Sequence, residues 1–140
     1  MNKIELLILL SIFLPLLAAS LNIFLKKNEN LRDLLTLFIS IITFGCVVNI
    51  FLERQNLPEY SLNIFDIMPG LSVSFSVEYL GLLFALIASS LWILTHTYAI
   101  GYMRKNNEKN RSRFFSFFSL SIATVMGISF SDNLFTLFIF

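Results

Sequence analysis

The sequence predicts an all-α polytopic membrane protein with four transmembrane helices and the start of a fifth. A small extracytoplasmic β-hairpin separates helices 2 and 3. Three observations carry that prediction. Long apolar runs recur along the 140 residues, 56% of which are hydrophobic, and mean hydropathy is +0.78. Charged residues make up only 14%, where soluble domains carry about 25%, and they gather in short clusters between the runs. One stretch departs from this pattern and alternates strictly between apolar and polar residues. A soluble domain of this size could not bury so many runs of that length, so that class is excluded.

Crossing a hydrocarbon core of ~30 Å takes about 20 helical residues at ~1.5 Å each. The first run, Ile4–Leu25, has Glu5 at its outer end and Pro15 as its only interior breaker. It is longer than a signal-peptide core and no small-residue cleavage site ends it, so it reads as a retained helix. The second run, Leu34–Leu52, is uncharged, and its Cys46 is the only cysteine, which excludes an internal disulfide. The third, Tyr79–Met103, contains no charge unless His96 is protonated, and the fourth is Phe114–Phe130. A fifth run covers only the seven residues Leu134–Phe140, too few to cross a bilayer. The expectation is a membrane helix cut short.

Between the second and third runs, Leu71, Val73, Phe75 and Val77 alternate with Ser72, Ser74, Ser76 and Glu78. Period two is the signature of a strand. Upstream, Tyr60, Leu62 and Ile64 alternate with Ser61 and Asn63, and the phase slips near Phe65 as a bulge would make it. Pro69-Gly70 suits the two central positions of a type II turn. A hairpin over about residues 60–77 follows.

Topology is read from the basic residues. The loop after the first helix carries Lys26, Lys27 and Arg32, and the loop after the third carries Arg104, Lys105, Lys109, Arg111 and Arg113. The other side has only Lys3 and Arg54. A Lys/Arg excess in short loops marks the cytoplasmic side. The N-terminus and hairpin are therefore expected outside, in a cell-membrane protein facing anionic lipid on the other side. With a net charge of +1, composition points to no nucleic-acid partner.

Against this topology the strings "YAIGYMR" (98–104), "NEKNRSRFF" (107–115) and "GISFSDNLFTLFIF" (127–140) stand in a telling order. From about Val77 onward the sequence resembles the family shared by Mrp-type cation/proton antiporters and the antiporter-like membrane subunits of NADH-quinone oxidoreductase. Within that family it looks most like the proton-conducting, antiporter-like subunits of the bacterial Mrp antiporters. The resemblance implies the N-terminal part of a longer subunit of a multi-subunit complex in the bacterial inner membrane. That complex would exchange protons for Na⁺ or another monovalent cation. It also implies that the principal proton-carrying groups, a glutamate in the fifth helix and lysines in later ones, lie beyond Phe140. Without them the 140 residues alone are expected to transport nothing. Glu78 stands where many relatives have Asp. Two other parentages remain open: a proton-translocating subunit of NADH-quinone oxidoreductase or a related hydrogenase, and a standalone membrane protein without transport activity.

Within the chain, the candidate for chemistry is His96, about 25 Å along its helix from Tyr79. An ionisable side chain inside a span is a functional candidate by default, and histidine titrates near neutral pH. Two readings stand. One is a proton relay. The other is a neutral imidazole bonded to a hydroxyl or carbonyl on a neighbouring helix, its own helix being already furnished with such groups in Ser89, Ser90, Thr95 and Thr97. Glu78 and Asp132 sit at outer helix ends and read as caps, Asp132 for the incomplete fifth helix, with a place at a mouth for ions as the alternative for Glu78. Ser116, Ser119, Ala123 and Gly127 form one small-residue stripe for close helix packing. No phosphate-binding glycine loop, metal-spaced His/Cys cluster or Ser-His-Asp set occurs. The expectation is a secondary transporter subunit with no cofactor and no metal, not an enzyme in its own right.

Overall fold

The computed structural model describes residues 3–26, 28–54, 61–68 and 71–140. It contains α1 (Lys3–Phe24), α2 (Glu29–Arg54), β1 (Ser61–Met68), β2 (Leu71–Ser76), α3 (Tyr79–Lys105), α4 (Arg111–Ser129) and α5 (Leu134–Ile139). The first four helices are long and apolar enough to cross a membrane. They close into a ring in which α1 packs on α2 and α4, and α3 packs on α2 and α4. Ile8, Val47, Ile50, Leu82, Trp92, Met126 and Phe130 fill the centre. The outside is apolar too, with Phe24, Leu80, Phe117 and Leu94 mostly exposed. A surface of that kind is stable against lipid and unfavourable against water, so the chain is a multi-pass membrane protein.

The helices outrun the apolar runs at their charged ends. α2 begins at Glu29 instead of Leu34, α3 continues to Lys105, and α4 starts at Arg111 instead of Phe114. Apolar length marks the part of a helix inside lipid, whereas a helix continues for as long as its backbone bonds and side chains are satisfied. Arg104 and Lys105 also lie at the negative end of the α3 dipole. Tyr98 and Tyr102 stack near that end with centroids 6.0 Å apart, both more than half exposed. That position suits an aromatic belt.

The stripe on α4 lies in the α1–α4 contact. Ser119 and Ala123 are fully buried, and Ser116 Oγ donates 2.8 Å to the Ala19 carbonyl of α1. Small side chains let the backbones approach, which is what drives association in lipid. Gly127 at the end of the stripe serves α5 instead, because a Cβ there would overlap the Phe140 ring. Pro15 is buried inside α1, which runs unbroken through it.

β1 and β2 pair antiparallel, Ser61 opposite Ser76 and Phe65 opposite Val73. The register shifts between Asn63 and Phe65, where the alternation in the sequence slips, and again between Asp66 and Met68. Tyr60 and the Pro69-Gly70 turn lie outside the described residues. The hairpin is docked on the bundle. The far edge of β2 bonds the α4–α5 junction: Ser76 N donates to the Phe130 carbonyl (2.8 Å) and Asp132 N to the Ser74 carbonyl (3.1 Å). Ser74, Phe75, Ser76 and Val77 are consequently all buried. Alternation predicts one solvated face, and the docked edge removes it.

Lys3 pairs with Glu53, which holds the N-terminal end of α1 beside the hairpin end of α2. Arg111 pairs with Glu29 (2.7 Å) at the opposite end. Both basic loops thus lie at one end of the bundle, and the N-terminal end of α1 and the hairpin at the other.

Candidate functional site

The ionic groups buried in the bundle gather at its basic end. Asp33, in the second turn of α2, is the hub. Arg32 Nε and Nη2 donate to its Oδ1 at 3.0 and 2.7 Å, and Arg104 Nε and Nη2 donate to its Oδ2 at 3.2 and 2.7 Å. Each carboxylate oxygen therefore receives two N–H donors from a different guanidinium, and charge-assisted bonds of this kind are stronger than neutral ones. Arg32 also gives Nη1 to Ser112 Oγ of α4 at 3.0 Å. The cluster ties α2 to α3 through Arg104 and α2 to α4 through Arg32. Arg32 and Asp33 are 1% and 3% exposed, whereas Arg104 reaches in from a partly open position.

His96 lies two turns before Arg104 on α3 and is fully buried. Its ring packs edge-on against Phe115 at 4.8 Å, and the Arg32 guanidinium lies 5.4 Å from the same phenyl centroid. Asp33 and Arg32 are the charges close enough to act on the imidazole. Trp92 Nε1, one turn earlier, has no hydrogen-bond partner among the described residues, and the imidazole nitrogens meet none in full hydrogen-bond geometry, with the Asp33 backbone the group in reach of them. Ser89, Ser90 and Thr97 spend their hydroxyls on carbonyls of their own helix, at 2.7 to 2.8 Å. Buried polar atoms without partners are uncommon in folded proteins. Here Trp92 and His96 share the inner face of α3 beside a charged cluster.

A second polar junction lies further in. Thr36 Oγ1 donates 2.9 Å to Asn22 Oδ1, and Asn22 Nδ2 reaches Ser119 Oγ at 3.4 Å, joining α1, α2 and α4. Among the described residues no group of His, Cys, Asp and Glu could hold a metal ion.

At the hairpin end, Glu78 and Asp132 line one cavity of about 590 Å³ together with Arg54. Capping explains neither acid. Glu78 occupies the N-cap position of α3 but makes no side-chain cap bond. The cap of α5 is Asn133, whose Oδ1 accepts from Thr136 N at 2.7 Å. Asp132 is displaced from that role because its own N–H is committed to β2, and Asn133 Nδ2 reaches Ser72 O and Ser74 Oγ of the same strand. In the basic loop, Arg104 and Arg111 are paired with acids. Lys105, Lys109 and Arg113 carry no ion pair among the described residues.

Arg32 and Asp33 are not legible as site residues in the sequence, because beside an apolar run they read as loop charges. The available signal is the adjacency of opposite charges within one turn of the start of a helix.

Residues 68–115 match the family described as NADH-ubiquinone oxidoreductase (complex I), chain 5 N-terminus. That stretch contains His96, Arg104, Ser112 and Phe115. A search of curated proteins returned no match. Among solved structures, the fold matches a chain of the membrane-bound sulfane sulfur reductase, an archaeal respiratory membrane complex, with a TM-score of 0.74 at 17% identity. The match covers 93% of this chain and 20% of that one, so the chain spans about a fifth of the length of its structural relative. Residues 68–115 are thus similar in sequence to that family, and nearly the whole chain shares its fold with a chain of a respiratory membrane complex.

Proposed function

We propose that the chain is part of a proton-translocating membrane subunit that exchanges protons for a monovalent cation within a multi-subunit complex. The observation that carries this reading is His96. It is a fully buried imidazole facing the Asp33 backbone, beside a carboxylate clamped by two arginines, inside the family-matched segment. An imidazole accepts a proton on one nitrogen and releases one from the other, so it can pass charge without moving far. Asp33 and its arginines hold a fixed field at the mouth of that path. Arg104, the more exposed of the two, is the arm able to leave and readmit solvent. The Lys/Arg excess at this end supports a cytoplasmic location for it, with the N-terminus and hairpin outside. His96 then serves the cytoplasmic half of the path. The cavity holding Glu78, Asp132 and Arg54 serves the outer mouth.

A second reading, a proton-pumping subunit of a redox complex, is favoured by the two comparisons themselves. The matched family is named for complex I, and the structural relative belongs to a respiratory complex. The two readings separate in membrane vesicles that hold the native complex and a pH-sensitive dye. Antiport predicts that a Na⁺ or K⁺ pulse moves protons without any electron donor, and that deleting the gene abolishes this. Proton movement that appears only when a donor is oxidised assigns the chain to the redox class.

A further inference from the structure

Two concavities on the α1–α4 face are continuous with each other, and of their lining only Arg32 belongs to the buried cluster described above. The first, about 300 Å³, lies at the basic end and is lined by Lys26, Arg32, Lys109, Arg111 and Arg113, with Glu29 as its one acid. The second, about 590 Å³, is an apolar groove running down the bundle between Leu16, Ile23, Phe117 and Leu120. Ile23 and Arg113 line both, so the groove opens directly beneath the basic pocket.

We infer that this composite site binds one anionic glycerophospholipid, its phosphate in the basic pocket and an acyl chain in the groove. The charges available to a ligand are specific ones. Arg111 is engaged by Glu29 and Arg32 by Asp33. Lys26, Lys109 and Arg113 are exposed and carry no ion pair among the described residues. Three unneutralised cations around one pocket favour an anion, and flexible lysines on a rim suit a phosphate. The geometry suits a lipid more than a free anion. Lys26 lies just past the end of α1, and Arg113 in the first turn of α4, the level at which helices of this length meet headgroups. From Ile23 to Leu16 the groove descends about 10 Å at the helical rise, parallel to the helices. That is most of one leaflet's ~15 Å half of the hydrocarbon core. Phe117 and Ile23, each about two-thirds exposed, form walls that an acyl chain would cover.

The test uses the chain purified in a non-ionic detergent, with bound species counted by native mass spectrometry during titration. Phosphatidylglycerol is expected to bind at least tenfold more tightly than phosphatidylcholine. The triple variant Lys26→Gln/Lys109→Gln/Arg113→Gln should weaken phosphatidylglycerol binding on the order of a hundredfold, at about fivefold per charge. Its helical circular dichroism should be unchanged, since all three side chains are exposed. Ser20→Phe, which fills the groove and leaves the charges in place, should weaken both lipids. Equal binding of the two lipids, or a preference that survives the triple substitution, would overturn the proposal. So would inorganic phosphate displacing phosphatidylglycerol at comparable concentration while Ser20→Phe has no effect, which would make the pocket a free-anion site.

Discussion

Replacing Asp33 by alanine is expected to destabilise the bundle by about 3–5 kcal/mol, the usual cost of stranding a buried charge. The stranded group is Arg32, whose side chain is only 2% exposed and loses both bonds to Oδ1. Arg104 contributes little to this loss. Its side chain is 43% exposed and can turn to water, and pairs in such positions are worth about 1 kcal/mol or less. Arg104→Ala should therefore cost far less than Asp33→Ala, although both remove a partner from the same cluster. A third variant separates charge from packing. Arg32→Met/Asp33→Leu removes the whole buried pair, and substituting apolar residues of similar volume for such pairs is often neutral or stabilising. It should recover most of the stability lost in Asp33→Ala. Reversible unfolding in mixed micelles measures all three. Equal losses for Asp33→Ala and Arg104→Ala would show that Arg32 has somewhere else to go.

The second large effect concerns Gly81, near the start of α3. A Cβ there would land on the Ser129 carbonyl oxygen. That oxygen is part of the α4 backbone, immediately before Phe130, whose own carbonyl accepts from Ser76 of the docked strand. Yielding to the methyl group means separating α3 from α4 and straining the hairpin seat. Gly81→Ala should cost about 2–3 kcal/mol from overpacking, reduced by the ~1 kcal/mol that alanine gains over glycine in a helix. Gly101 on the same helix supplies the control, since a Cβ added there would meet no atom within 4 Å. Gly101→Ala has the propensity gain without the clash, so the two substitutions should differ in sign in the same unfolding assay. A stabilising Gly81→Ala would mean that α3 and α4 do not touch there.

The bilayer is why so much of the fold is legible in the sequence. Span length and backbone satisfaction leave few choices for apolar runs near twenty residues, and basic loops set which helix ends share a side. The hairpin is legible in β2 because alternation is local. Its second register shift is not, because nothing local distinguishes Asp66–Met68 from an ordinary strand. What stays hidden shares one cause. Asp33 and Arg104 are seventy-one positions apart, and their pairing exists only after α2 packs on α3. Asp132 and Asn133 are both good caps by residue type, and the docked strand selects Asn133. Gly81 looks like any membrane-helix glycine until Ser129 stands opposite it.

Proton flux decides whether the buried cluster at the basic end carries protons through His96. Vesicles containing the native complex with His96→Ala, and with His96→Phe to refill the volume, should lose at least tenfold in the rate of cation-driven or donor-driven proton movement. Protein level and unfolding midpoint should stay near wild type in the Phe variant, since the phenyl ring refills the volume and the imidazole makes no side-chain hydrogen bond among the described residues. Wild-type flux in both variants at equal protein level would leave His96 a packing residue and take the proton path elsewhere.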